Sequence, residues 1–253
     1  MPVEIVIVPC RSDNYAYLVR DEATGEVALV DAPEEGPIRA ALDDRGWSLS
    51  QIWITHHHDD HTSAVEALRA GAEVIGNTAD RARLPALDKE TSEGELVHLG
   101  RTTARVIDVS GHTIGHIAYV LDDDGAAFTA DSLMALGCGR VFEGTPEMMW
   151  ASLEKLAALP GETRVYSGHN YGAANARFAL SIEPDNDALK ARAARIAEAD
   201  AKGAPIVPAT IAEERETSPL FRPDVAAVAE AVGLKGAPTA EVFAEVRRRK
   251  DTF

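Results

Sequence analysis

Cysteine is scarce in this chain: two residues in 253, Cys10 and Cys138, neither beside another thiol nor in a tight His/Cys pattern. That is too few for a disulfide framework, so a reducing cytoplasm is expected and both residues read as structural. Long apolar runs are also missing. No segment approaches the roughly 20 residues needed to span a bilayer. The opening Met-Pro-Val-Glu-Ile-Val-Ile-Val has no positive n-region and carries Glu4 inside its apolar run, so it reads as a first strand rather than a signal peptide. Positive charge is in short supply, with 25 Lys and Arg against 41 Asp and Glu and a net charge of -16. Such a balance opposes nucleic-acid binding, which rests on Lys and Arg contacts to phosphate. There is no internal repeat or low-complexity tract. A hydrophobic content of 45% with 26% charged residues suits a soluble globular protein. The expectation is a cytoplasmic monomer with neither membrane nor nucleic-acid partner.

Histidine, by contrast, is concentrated. Four of the eight histidines fall in Thr55-His56-His57-His58-Asp59-Asp60-His61. Read with alternation this is His-x-His-x-Asp-His, and imidazole with carboxylate at such spacing is what divalent transition metals bind. The apolar Ile52-Trp53-Ile54 before it predicts a buried strand, and residues 63–70 predict a helix. The cluster therefore sits on a strand-to-helix turn, where His56 and His58 can point the same way from extended backbone.

Around the cluster, residues 1–170 alternate short β-rich runs with turns and a few helices. Strands are expected over 3–8, 15–20, 27–31, 51–55, 72–76, 96–99, 103–109, 117–121, 126–129 and 163–167, with helices over 36–44 and 146–158. Residues 79–87 fit helix or loop. Interspersed short strands and helices predict sheet layers covered outside by helices. From 171 the texture changes to helix, over 173–181, 187–202, 209–214, 224–231 and 240–249, with breaks containing Pro and Gly. A first domain over 1–170 and a small helical domain over 171–253 is the economical division.

Three further strand ends offer ligands: residues 103–110 lead to Gly111-His112, 126–130 to Asp131, and 163–167 to Gly168-His169. With His56, His58, Asp60 and His61 this makes five imidazoles and two carboxylates. One tetrahedral zinc takes fewer; two metals sharing a bridging carboxylate account for all seven. His57 points opposite to its neighbours in an extended segment and reads as supporting or structural. His116 is left out as an orienting or strand-capping residue, and His98 reads as a surface-strand histidine. Basic residues gather once, at Arg247, Arg248, Arg249 and Lys250, which suits either a helix C-terminus or an anionic ligand.

At these residues the chain resembles the metallo-β-lactamase superfamily: Thr-His-x-His-x-Asp-His, then Gly-His-Thr, Asp131 and Gly-His. Within it the chain is similar to the glyoxalase II, or hydroxyacylglutathione hydrolase, family. Further matches are Gly137-Cys138-Gly139-Arg140-Val141-Phe142-Glu143-Gly144, residues 163–171, and the terminal Arg247-Arg248-Arg249-Lys250-Asp251-Thr252-Phe253. The resemblance runs over essentially the whole chain. It implies an α+β fold, a four-layer αββα sandwich followed by a small all-helical C-terminal domain that binds substrate. It implies two divalent cations, zinc first with iron or manganese as alternatives, one on His56, His58 and His112 and one on Asp60, His61 and His169. Asp131 would bridge them together with a water or hydroxide. Glutathione contacts would fall on Arg140, Tyr171, Arg247 and Lys250. Position 140 is Arg where some members have Lys, which alters donor geometry, and position 142 is Phe where some have Tyr.

The implied reaction is hydrolysis of S-(2-hydroxyacyl)glutathione, typically S-D-lactoylglutathione, to a hydroxy acid and glutathione, as in methylglyoxal detoxification. Asp131 and Asp60 are the catalytic carboxylates, the second as an orienting group for hydroxide. A thiol of pKa roughly 8.5 leaves without a strong general acid, in keeping with a motif composed almost wholly of ligands. The substrate is a net anion, and in so acidic a chain Arg140, Arg247 and Lys250 supply the local positive charge. Other readings are a lactonase, a single-iron persulfide dioxygenase, or a metal-stabilised module without turnover.

Overall fold

The computed structural model describes residues 3–253. By contact they form two compact units, one running to Asp108 and adding Ile114–Ala130, the other made of Val109–Thr113 and Asp131–Phe253. This grouping is discontinuous in sequence and differs from the textural division at residue 170.

In the first unit, β1 (Val3–Cys10), β2 (Asn14–Asp21) and β3 (Val27–Val30) form an antiparallel meander. The sheet then continues in parallel through β4 (Gln51–Trp53), β5 (Glu73–Asn77) and β6 (Lys89–Thr91). Parallel neighbours need crossovers. Helix α1 (Glu35–Asp43) makes one, and α2 (Asp59–Thr62) with α3 (Val65–Leu68) makes the next. The uninterrupted apolar Val-Ala-Leu-Val of β3 is buried throughout, as expected for a strand covered on both faces. One cover is the apolar stripe of α1, whose Ile38 and Leu42 pack with Leu18, Leu29, Ile52 and Val74. Each such side chain contributes about 1.5–3 kcal/mol on burial.

The other cover is a second, antiparallel sheet: β7 (Leu96–Leu99), β8 (Thr102–Asp108), β9 (Ile117–Leu121) and β10 (Ala126–Ala130). Aromatic residues are few, and several of them are spent between the sheets. Trp53 stacks on Tyr119 at 5.1 Å, and Tyr17 meets Phe128 at 5.4 Å. The Tyr119 hydroxyl donates to the Ile54 carbonyl at 3.0 Å, so the polar end of the buried ring is satisfied.

Two details depart from the sequence reading. The helix expected over 63–70 is shortened to α3 and kept separate from α2 before it, because Ala32 N–H donates to the His61 carbonyl and Ala64 N–H to the Ala32 carbonyl. Those groups bond to the β3 exit instead of to a helix ladder. The short, charged β6 was not anticipated from its composition; it is the edge strand beside β5.

The second unit holds α4 (Pro146–Ala157), capped by Thr145 with Pro146 in its first turn, and β11 (Arg164–Ser167). It continues with α5 (Gly172–Ile182), α6 (Asp187–Ala201), β12 (Ala209–Thr210), α7 (Ile211–Thr217), α8 (Ala226–Ala231) and α9 (Thr239–Asp251). The Asn186 side chain caps α6 at the Leu189 N–H. The helix expected over 209–214 begins two residues late, since Ala209 and Thr210 pair antiparallel with Val165 and Arg164. A core of Leu136, Ala176, Ala179, Leu189 and Ile196 joins α5 and α6 to the segment after β10. Among the described residues no helix is long and apolar enough to cross a membrane.

Candidate metal centre

In the first unit the histidine cluster follows β4, with His58 as the residue preceding α2. Its geometry is set by Asp31, a residue the sequence reading missed. Asp31 sits just past β3 at φ +56° and is buried. Its Oδ1 accepts from Thr55 N–H at 2.9 Å; its Oδ2 accepts from the Thr55 hydroxyl at 2.8 Å and from His61 Nδ1 at 2.8 Å. Having donated to Asp31, the Thr55 hydroxyl is an acceptor for His56 Nδ1 at 3.0 Å. Both rings therefore carry their proton on Nδ1 and present a lone pair on Nε2. His56 Nε2 lies 3.2 Å from His58 Nδ1, and His61 Nε2 lies 3.8 Å from Asp60 Oδ2. The Asp60 carboxylate is steadied by Asn14, whose amide donates to its Oδ2 at 3.1 Å. Asp31, His56 and His61 form a buried group with one donor atom of each within 4.8 Å of the others.

The remaining histidines sort by their surroundings. His116 is buried and stacks on His56 at 4.5 Å and 12°. His57 turns to Asp80 at 2.9 Å, and Asp80 also receives Arg83 Nε at 2.5 Å. His98 is exposed on β7. The signal for Asp31 was present in the sequence: an acid directly after an apolar strand, the same rule that singled out Asp131.

In the second unit Asp131 follows β10, and its Oδ2 lies 3.4 Å from both His112 Nε2 and His169 Nε2. All three side chains are buried. His112 Nδ1 donates to the Arg140 carbonyl at 2.7 Å, so Nε2 turns a lone pair toward the Asp131 carboxylate. Two acceptors facing each other in a buried place suit a divalent cation, and the donor set of neutral imidazoles with carboxylates fits one. Gly139 is required by close approach: a Cβ there would lie 2.4 Å from the Asp131 carbonyl oxygen and 2.7 Å from His112 Nδ1. Tyr171, exposed at the start of α5, stacks on His169 at 4.7 Å and 6°.

The basic residues of the second unit gather around Asp251. Arg140 is exposed and reaches Asp251 Oδ1 from Nε at 3.3 Å, with its guanidinium 5.9 Å from the exposed Phe142 ring. Arg247 is buried; its guanidinium donates to the Cys138 carbonyl at 2.8 Å and to Asp251 Oδ1 at 2.9 Å. Lys250 Nζ lies over Phe178 and Phe253 at 5.4 and 5.9 Å. Its pKa is lowered by burial and then by Arg247 and Arg177. Arg248 and Arg249 turn away and pair with Glu245 at 2.7 and 2.9 Å. Burial pushes the Cys138 thiol up despite Arg247, in keeping with a structural cysteine.

Comparison with known proteins places this arrangement. Residues 11–169 match the family described as "Metallo-beta-lactamase superfamily", and residues 170–253 match "Hydroxyacylglutathione hydrolase C-terminus". The fold is accordingly the α+β metallo-β-lactamase fold, two sheets with helices, extended by a helical C-terminal portion. Proteins named hydroxyacylglutathione hydrolase from Ruegeria pomeroyi and Cereibacter sphaeroides are 58% and 57% identical over 255 residues, covering 100% of both chains in each case. The chain belongs to the hydroxyacylglutathione hydrolase family. Among solved structures, ETHE1 from Myxococcus xanthus aligns at a TM-score of 0.67 and 27% identity, over 98% of this chain and 90% of that one. The BLEG-1 B3 metallo-β-lactamase aligns at 0.65 and 20% identity, over 87% and 100%, a likeness of fold alone.

Proposed function

We propose that the chain hydrolyses S-(2-hydroxyacyl)glutathione thioesters, S-D-lactoylglutathione foremost, to a 2-hydroxy acid and glutathione, as methylglyoxal detoxification requires. Family membership over the full length supports the reaction. The observation that carries the substrate is the basic cluster of Arg140, Arg247 and Lys250 around one carboxylate, Asp251, in a chain of net charge -16.

Two divalent cations, zinc first, are proposed from family membership on His56, His58 and His112 and on Asp60, His61 and His169, with Asp131 shared. When bound, such cations supply an activated water and polarise the thioester carbonyl. The rest falls to the protein. Asp31 and the Arg140 carbonyl keep His61 and His112 in the tautomer that presents Nε2. Asp60, held by Asn14, orients the attacking water. The leaving thiolate, of ordinary pKa roughly 8.5, departs without a side-chain acid.

The helical domain, residues 171–253, is proposed to receive the peptide, with residues 1–170 as the catalytic domain. Lys250, whose charged form is disfavoured by burial and by two neighbouring guanidiniums, gains most from an incoming carboxylate. Arg140 and Tyr171 are exposed and are proposed to contact the peptide directly. Arg247 contributes positive charge, its terminal nitrogens being engaged on Cys138 and Asp251. The enzyme is proposed to work as a cytoplasmic monomer.

The test is steady-state hydrolysis of S-D-lactoylglutathione by wild type and Arg140→Ala/Lys250→Ala. KM should rise about tenfold or more, as losing charge-assisted contacts predicts, with a smaller change in kcat. An unaltered KM would sink the glutathione assignment.

A further inference from the structure

Residues 131–140 link the Asp131 carboxylate to the Arg140 carbonyl that orients His112. Within them, reciprocal bonds between Met134 and Gly137, at 2.8 and 2.9 Å, close a tight turn. Its corner residue Leu136 stands at φ +59°, where a side chain costs roughly 1–2 kcal/mol and glycine is the ordinary choice. Leucine serves another purpose here: its side chain is buried among Ala176, Ala179, Leu189 and Ile196 of α5 and α6.

The backbone of this segment is held by three helices, each through one side chain. Asn175 on α5 donates to the Ala135 carbonyl at 3.0 Å. Glu214 on α7 accepts the Leu136 N–H at 3.1 Å. Arg247 on α9 donates to the Cys138 carbonyl at 2.8 Å. Glu214 is in turn gripped by Arg192 on α6, and both are more than nine-tenths buried. Arg192 also donates to the Thr217 hydroxyl at 2.7 Å. A buried ion pair is weak evidence of net stabilisation, since desolvation offsets the attraction. Its carboxylate does, however, hold the one amide of the turn that sits in left-handed geometry. The segment is closed by Gly139 N–H donating to the Asp131 carbonyl at 2.7 Å, so a shift at the turn reaches both ends.

We infer that Asn175, Glu214 and Arg247 are positioning residues for the metal centre: through residues 131–140 they aim Asp131 and, by way of the Arg140 carbonyl, His112. The helical C-terminal segment then sets metal affinity as well as receiving substrate. The inference rests on the ligand assignment proposed above.

Two double variants isolate the amide contact from the ion pair. Arg192→Met/Glu214→Gln removes both charges and keeps an acceptor for Leu136; Arg192→Met/Glu214→Leu removes the acceptor too. Zinc affinity is read by chelator competition, and the visible spectrum is read after cobalt(II) substitution, alongside kcat and KM. The Gln pair should match wild type. The Leu pair should lose about tenfold or more in zinc affinity, the lower end expected for supporting partners of a metal site. It should also show an altered cobalt spectrum and a reduced kcat at near-normal KM. Equal affinity and spectra for the two pairs overturn the inference. Should the Leu pair not fold, Asn175→Ala is read the same way, and unchanged zinc affinity there overturns it. A wild type that takes up no metal overturns the ligand assignment and this inference together, whereas a loaded wild type with an unaffected Leu pair removes this inference alone.

Discussion

His61 donates from Nδ1 to Asp31 Oδ2 at 2.8 Å, across 30 residues of sequence, and the same oxygen takes the Thr55 hydroxyl. One carboxylate thus decides which nitrogen two neighbouring imidazoles present. Asp31→Asn keeps the size of the side chain and can turn an N–H toward His61, which disfavours the Nδ1–H tautomer. Loss of about 10–100-fold in metal affinity or in kcat is expected, the usual consequence of removing such a partner. Metal titration and thioester assays check it; wild-type values in both would show that the tautomer does not matter.

His169→Ala removes an imidazole that faces Asp131 at 3.4 Å. Bound metal should drop by about one ion per chain, in keeping with a two-metal site, and hydrolysis should nearly vanish. Metal analysis of the dialysed protein decides it, and full retention of metal and activity would take His169 off the ligand list.

Gly139→Ala should both destabilise and inactivate. The added Cβ would meet the Asp131 carbonyl oxygen at 2.4 Å, a backbone atom that cannot swing aside. Overpacking of this kind costs about 1–3 kcal/mol, and the displaced groups carry Asp131 and His112. Gly36→Ala in α1 is the contrasting control, because nothing lies within 4 Å of where an added Cβ would stand. It should stabilise by about 0.4–1 kcal/mol. Urea unfolding of both variants tests the pair, and the same sign for both would refute the steric reading.

Acid should loosen α9 in a defined window. Hydrogen bonds from Arg248 and Arg249 hold the Glu245 carboxyl at about 2, against an ordinary value of 4.5. A lowered folded-state pKa contributes stability above the unfolded value, and that contribution fades as pH falls from 4.5 toward 2. Wild type should therefore exceed Glu245→Gln in unfolding free energy at about pH 6 by more than at about pH 3. A gap of the same size at both pH values would mean that the pairing is not electrostatic.

Much of this protein follows from local sequence. Short apolar runs and capping residues mark most elements to within a residue or two, as for β7 and β9, because strand and helix formation depends on neighbours a few positions away. The strand-end histidines and acids, with the terminal basic motif, were enough to indicate the family. Local pattern fails where a tertiary bond overrides it. Residues 63–70 lose helical continuity to the Ala32 backbone, and Ala209 and Thr210 join a strand because β11 offers them partners.

The sequence by itself determined which residue types stand at the strand ends, and hence the kind of chemistry available. Only the tertiary structure decided how those residues are held. Asp31 stands at a strand end, which is legible in the sequence although its partner is not, and Glu214 is one of several acids along its helix. What distinguishes them is a partner 30 residues away for the first and 78 for the second. Arg247, named from the terminal motif as a glutathione contact, also donates to a carbonyl 109 residues distant and to Asp251. No local spacing encodes such pairings. They arise when packing brings a buried polar group to the one partner that satisfies it, and leaving either group unpaired there would cost about 1–3 kcal/mol.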